Sequence, residues 1–280
     1  MKNIPALDPK VLGLVTEISK EPKVEAAIAF IKDQTEVAML EQIELCEIEA
    51  PTFHEEKRAA SVAERMRQYG LTDVHIDEIG NVIGIRKGSG NGPVLAIGAH
   101  MDSVFPAGTD VKVKKEGNIY RAPGIGDNCS GLRALLQVLR ALEKEDIRTV
   151  GDIWFVGTVG EEGNGDIRGS KHLCANNKLD GFVAIDSTDV GRVLYGAVGS
   201  HRWRLAVDGT GGHSFADFGK TPFTPFAVPA ISLPTSKFRK TPRPPSRLVR
   251  SRAVRRSTRF PLTAKWTWIS AVFPMTNCFA

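Results

Sequence analysis

Apolar positions recur at helical spacing through residues 24–45, where Val24, Ala27, Ile28, Ile31, Val37, Leu40, Ile43 and Leu45 mark one helical pattern. A second, polar-rich helix is predicted over 55–69, and both read as packing elements. Val74-His75-Ile76-Asp77 and Val82-Ile83-Gly84-Ile85 lie either side of Gly80-Asn81, which predicts a hairpin. Short apolar runs follow, each leading into polar residues. Val94-Leu95-Ala96-Ile97 leads to His100, Ile153–Val159 ends in Gly160-Glu161-Glu162, and Gly181–Ile185 ends in Asp186. Between the first two, Leu132, Leu135, Leu136, Val138, Leu139 and Leu142 predict an amphipathic helix, directly after a Gly- and Pro-rich turn that carries Asp127. After Asp186, residues 199–209 alternate as a half-exposed strand should. Gly88-Ser89-Gly90-Asn91-Gly92 precedes a strand and no helix follows it, so it reads as a flexible loop rather than a nucleotide-binding motif.

The strand ends carry the candidate chemistry. His100 falls where a buried strand opens into a loop, the place where α/β enzymes put reactive groups. Asp102 is close enough to reach the imidazole's other nitrogen and fix its tautomer, although His-x-Asp alone equally describes a histidine beside a solvated aspartate. Asp127 reads equally as the N-cap of the helix that follows or as a ligand on a backbone held by neighbouring glycines. The adjacent Glu161 and Glu162 repel one another, and one pKa should rise unless a cation neutralises them. With a cation, one carboxylate can bind while the other moves protons; the alternative is a solvated acidic loop. Four successive apolar strands ending in His100, Asp127, Glu161-Glu162 and Asp186 are the constellation expected from the pattern.

These residues resemble the M20 family of di-zinc metallopeptidases and amidohydrolases, with its glutamate carboxypeptidases, peptidase T-like aminopeptidases and aminoacylases. The matching motifs are Gly98-Ala99-His100-Met101-Asp102, Gly124-Ile125-Gly126-Asp127-Asn128, Glu161-Glu162-Gly163 and Ala184-Ile185-Asp186-Ser187, in the family's order, within residues 25–219. The resemblance implies an α/β fold: a three-layer α/β/α catalytic domain with a mixed sheet over residues 1–198, then the start of an α+β lid or dimerisation domain over 199–219. It implies that His100, Asp127 and Asp186 hold one zinc, and that Asp127 bridges to a second zinc held by Glu162. Glu161 would be the general base and Asp102 the orienter of His100. Gly211-Gly212-His213-Ser214 matches a motif whose histidine, in dimeric members, reaches the partner's site and steadies the oxyanion. On its own residues His213 reads as a turn-flanking surface position. The substrate implied is a peptide or N-acyl amino acid, and Asp at position 186 leans toward aminopeptidases.

Imidazole with carboxylates suits hydrolytic zinc, with cobalt or manganese as replacements. Cys46, Cys129, Cys174 and Cys278 form no Cys-x-x-Cys pair, and Cys129 reads as a packed residue rather than a nucleophile. Ser103 and Ser130 lack a Gly-x-Ser-x-Gly context. His54 and His75 read as surface residues and His172 as structural.

Charge separates the last 61 residues from the rest. Residues 220–280 contain no Asp, Glu, Gly or His, yet hold 12 of the 37 Lys and Arg and 9 of the 16 prolines. Residues 1–219 therefore carry a net charge of −7 while the whole chain carries +5. One reading is a disordered basic arm that binds nucleic acid or anionic membrane. Phe223, Phe226, Trp266, Trp268, Phe273 and Phe279 argue against a solvated arm and favour loss of the original frame near Gly219. The resemblance implies a final histidine ligand beyond the lid; no histidine follows His213, so one zinc position should lack a protein ligand, and weak or absent catalysis is expected. An inactive fragment or a non-catalytic metal-binding protein is the alternative function, with nucleic-acid binding less favoured. No apolar run is long enough to span a membrane and the start does not read as a signal peptide, which with unpaired cysteines leads to a cytoplasmic expectation.

Overall fold

Proline at the first helical position starts both α1 (Pro9–Ile18) and α2 (Pro22–Asp33), where its missing N–H costs no helical hydrogen bond. The single helix expected over 24–45 is in fact two, α2 and α3 (Thr35–Cys46). The chain breaks at Gln34 (φ −89°, ψ 12°), where the Thr35 hydroxyl donates to the Lys32 carbonyl at 2.6 Å. A side chain that bonds the local backbone competes with helix continuation, and apolar periodicity carried across the break conceals it. The computed structural model describes residues 8–186, residues 193, 194 and 196, and the backbone of 198–208, 212–213, 250–251, 259–260 and 263–274.

In α4 (Glu56–Gln68), Ala59, Val62, Ala63 and Met66 are buried at spacings of three and four, so one face packs on the sheet. The predicted hairpin forms as β1 (Asp73–Ile76) and β2 (Val82–Arg86), paired from Asp73↔Ile85 to Ile76↔Val82. Then come β3 (Leu95–His100), a separate small hairpin of β4 (Lys114–Glu116) and β5 (Ile119–Arg121), and α5 (Cys129–Lys144). After these follow β6 (Ile153–Thr158), α6 (Arg168–Asn176) and β7 (Gly181–Ala184). Three strands, rather than four, end in the candidate residues, because Asp127 comes from the turn before α5. The sheet has the order β1-β2-β6-β3-β7, antiparallel from β1 to β6 and parallel across β6, β3 and β7.

Side chains alternate across this mixed sheet. Val82, Ala99 and Phe155 join α3, α4 and α5 in one apolar layer, while Ile83, Ala96 and Val156 meet Leu173 of α6 in the other. The chain thus forms the α/β fold with helices on both faces of a mixed sheet. Leu132, Leu135, Leu136 and Leu139 of α5 are all fully buried. Full burial is worth about 1.5–3 kcal/mol for each such side chain, and Leu136→Ala should cost about 2–5 kcal/mol.

Contacts divide the chain into Met1–Gly191 and Arg192–Ala280. In the second unit, β8 (Val198–Asp208) forms where the alternating strand is expected, and β9 (Gly212–His213) is a short strand. Of residues 220–280 the described ones form β10 (Arg250–Ser251), β11 (Arg259–Phe260) and β12 (Thr263–Pro274), and β12 pairs antiparallel with β8 from Thr263↔Asp208 to Pro274↔Val198. The Thr, Trp, Ile, Val and Phe content of 263–274 gives it high strand propensity. Among the described residues no helix is long and apolar enough to cross a membrane.

Candidate metal centre

Parallel pairing of β3 with β6, which sets His100 opposite Thr158, brings the loops at their C-terminal ends side by side. On the other flank of β3, the Ile185 amide donates to the Gly98 carbonyl at 2.7 Å and delivers Asp186 to the same edge. The His100 ring is buried, with Nε2 3.0 Å from Asp127 Oδ1 and 3.8 Å from Asp186 Oδ1. Its Nδ1 lies 3.1 Å from the Asp102 carbonyl oxygen and 3.5 Å from Asp102 Oδ1. The shorter Nδ1 contact is thus to the Asp102 main-chain carbonyl, with the Asp102 carboxylate at the edge of hydrogen-bond distance. Burial disfavours a charged His100 ring, but the Asp102 contact and the charges of Asp102, Glu161 and Asp186 outweigh it and push the pKa up to about 9.

The Asp102 carboxylate, fully buried, has another use. It accepts the amides of Glu161 at 2.9 Å and Glu162 at 3.0 Å, and the Thr52 hydroxyl at 3.0 Å. The Asp102 pKa is lowered: burial opposes this, and the His100 contact with the two amides overrides it. Both glutamates shift upward instead. For Glu161 burial comes first and the charges of Asp186, Asp102 and Asp127 add to it against the pull of His100. For Glu162 burial again leads, followed by the charge of Asp127.

Asp127 is not the helix cap. Asn128 caps α5, its Oδ1 accepting the Gly131 amide at 3.0 Å while its Nδ2 donates to the Ile185 carbonyl at 2.9 Å. That leaves the Asp127 carboxylate for His100, and the peptide bond between Asp127 and Asn128 is cis.

Ligand atoms of His100, Asp127 and Glu162 lie within 4.8 Å of one another, with Asp186 beside His100. The donor set fits a hydrolytic cation on this structure's own terms: one imidazole nitrogen faces crowded carboxylates, two of which are held above their usual pKa by burial first and by like-charged neighbours second. His213 lies in the second unit, and its side chain is outside the described residues, as are Ser187 and Ser214. Cys46 and Cys129 are buried, in keeping with a packing role. His54 and His75 are exposed, and His172 Nε2 lies 2.9 Å from Glu78 Oε1 on the surface.

Sequence reasoning misses several supporting residues. Arg58 is buried and donates to the carbonyls of Leu45 at 3.1 Å, Ile48 at 2.5 Å and Met101 at 2.6 Å, pinning the chain just after His100. Its signal was its place in the stripe Arg58, Val62, Met66, a charge at the spacing of buried residues. Asn81, Glu55 and Arg168 brace the turn after β6 and have no comparable signal.

The profile of peptidase family M20/M25/M40 matches residues 96–276, running past Gly219, where the motif resemblance ends. A LysW-lysine/LysW-ornithine hydrolase of Pyrococcus abyssi is 35% identical over 120 residues, covering 43% of this chain and 32% of that protein. A tripeptidase of Staphylococcus aureus superposes with a TM-score of 0.56 at 25% identity, over 82% of this chain and 63% of that one. The dipeptidase Dug1p of Saccharomyces cerevisiae has a TM-score of 0.61 at 16% identity, over 76% of this chain and 53% of that one, which shows the fold. The chain thus spans between about a third and two thirds of these proteins. With the profile covering well over half of its residues, the chain belongs to peptidase family M20/M25/M40.

Proposed function

We propose that this chain carries the metal centre and general base of a hydrolase acting on a peptide or N-acyl amino acid amide bond. The observation that carries this reading is the placement of Glu161. Its amide is fixed by Asp102, which also adjoins His100, and it follows β6 beside the His100–Asp127–Glu162 group. His100, Asp127, Glu162 and Asp186 would hold zinc, with cobalt or manganese as replacements. Bound there, such a cation supplies Lewis-acid activation of water and of the scissile carbonyl. Glu161 takes the proton from the attacking water and returns it to the leaving amine, a task suited to a carboxylate whose pKa is raised by burial and neighbouring carboxylates. Asp102 keeps His100 oriented and Glu161 aimed. His213 is assigned by the resemblance as an oxyanion donor reaching a second copy's site, which makes a homodimer through the lid part of the proposal. Residues 1–198 would form the catalytic part and 199–219 the start of the lid. The substrate leans toward short peptides cleaved from the amino end, supported by Asp186 and by the tripeptidase likeness.

Elemental analysis of the purified chain and of Asp127→Ala, with turnover of a tripeptide and of an N-acetyl amino acid, tests the proposal. Bound metal lost in Asp127→Ala, together with hydrolysis of either substrate, supports it. A chain that retains no metal overturns it. Metal without turnover leaves the non-catalytic metal-binding alternative in its place. Loss of frame near Gly219 is a separate proposal, and the profile match to residue 276 stands against it. Coding DNA in which no single-base shift near Gly219 restores family-like residues rules it out.

A further inference from the structure

The segment that carries Glu161 is held by side chains rather than by secondary structure. Four successive amides beyond β6 are each bound by a side-chain oxygen from elsewhere in the chain. Val159 donates to Asn81 Oδ1 at 3.1 Å, Gly160 to Glu55 Oε1 at 3.0 Å, and Glu161 and Glu162 to the two oxygens of Asp102 at 2.9 and 3.0 Å. Asp102 adjoins the metal centre, but Glu55 does not, and its carboxylate needs its own support. Arg168 supplies it: Nη2 donates to both Glu55 oxygens at 3.0 Å while Nη1 donates to the Ile79 carbonyl at 2.7 Å.

Arg168 also grips the turn directly. Its own amide donates to the Gly160 carbonyl at 3.2 Å. Gly160 has φ +62°, and a Cβ built on it would come within 2.6 Å of Arg168 Nε and 2.7 Å of Cγ, so the arginine stem lies flat against the glycine. The guanidinium sits 5.2 Å from the centre of the Phe53 ring, and Glu55 is only 3% exposed. An ion pair between a buried carboxylate and a half-buried guanidinium adds little net stability compared with well-packed apolar side chains, because both charges lose water. This pair lies against the two peptide units that lead into Glu161.

We propose that Glu55 and Arg168 are positioning residues, a clamp that fixes the Gly160 turn and so aims Glu161 and Glu162 at the group formed by His100 and Asp127. The clamp's effect on chemistry rests on the amide-hydrolase reading above; its effect on the turn does not. The guanidinium fork is essential to it, since Arg168 reaches Glu55 from Nη2 and the Ile79 carbonyl from Nη1, whereas a lysine keeps the charge but has all its donors on one nitrogen.

The test uses the full chain, Arg168→Lys and Glu55→Gln. Hydrogen exchange in the metal-free wild type comes first: the Gly160 amide, the one that Glu55 accepts, exchanges as slowly as those of β6 if the clamp holds, and at the rate of an open loop if it does not. That measurement needs no variant to fold and no metal. Cobalt(II) titration follows, read by its visible absorption, with kcat and KM wherever wild type turns over. Arg168→Lys is expected to deprotect 159–162 while α5 stays protected, to weaken cobalt binding about tenfold, and to lower kcat with little change in KM. A variant with a lower Tm but unchanged cobalt affinity and unchanged exchange at 159–162 shows a structural ion pair only and overturns the proposal. If wild type binds no cobalt, the hydrolase reading fails, and the exchange experiment still decides whether the clamp exists.

Discussion

Asp102 Oδ1 accepts the Glu161 amide at 2.9 Å, so the residue next to the buried histidine also fixes the main chain of the candidate base. One carboxylate thereby couples the loops after β3 and β6, and both its oxygens accept main-chain amides. Asp102→Asn replaces one acceptor oxygen by an NH2 group facing an N–H donor. The buried amide left without a partner, and the lost negative charge beside His100, should lower stability by about 2–3 kcal/mol. Urea denaturation of the metal-free chain measures this, and an unchanged midpoint would show that the coupling carries no energy.

Crowding of Glu161, Glu162, Asp127 and Asp186 around His100 makes metal binding a stabilising event. At a free metal concentration near one hundred times Kd, binding to the folded chain alone adds about 2.7 kcal/mol. Thermal unfolding with zinc and with excess chelator should therefore differ by several degrees. Glu162→Gln should remove most of that difference while raising the stability of the metal-free chain, because it deletes one of the like charges. A metal-induced shift as large in Glu162→Gln as in the wild type would remove Glu162 from the ligand set.

How much of this was legible in the sequence follows from where the information lies. His100, Glu162 and Asp186 each end or follow an apolar run, so strand pairing brings them together and local pattern is enough to find them. Asp127 sits in a turn, where cap and ligand look alike until Asn128 is seen to take the cap. The break at Gln34 was hidden because apolar periodicity continues on both sides of it. Glu55 and Arg168 were invisible for a different reason. Glu55-Glu56-Lys57-Arg58 looks like the polar start of a surface helix, and a partner 113 residues away leaves no local trace.

Asn128 ties the Asp127 turn to the end of β7, and its removal should be felt at both. Asn128→Ala loses a helix cap, worth about 1–2 kcal/mol, and frees the Ile185 carbonyl. Gly131 is the complementary position: a Cβ there would collide with Asn128 Oδ1 and approach the Ile185 carbonyl to 2.6 Å. Gly131→Ala should cost about 1–3 kcal/mol through overpacking even though alanine is the better helix former. Equal or greater stability of Gly131→Ala in urea would show that the turn can shift without strain.

Tyr69 offers a pH test remote from the metal centre. Its hydroxyl donates to Glu41 Oε1 at 2.5 Å, with the Arg140 guanidinium 5.0 Å from the centre of its ring. Burial raises the phenol's pKa first, and the bond to Glu41 with that carboxylate's charge raises it further, against Arg140 and Arg65, from the ordinary 10.0 to about 12. The folded chain holds the proton more tightly than the unfolded chain, so the contribution to stability is complete below pH 10. Between pH 10 and 12 the unfolded chain ionises first and the native advantage shrinks; above 12 it is gone. Absorbance near the tyrosinate band should show one tyrosine of the native wild type ionising late, and Tyr69→Phe should remove that step. The urea midpoint of the wild type should also fall across this interval more steeply than that of Tyr69→Phe. Parallel pH profiles for the two would mean that burial and Glu41 together do not hold the phenol proton.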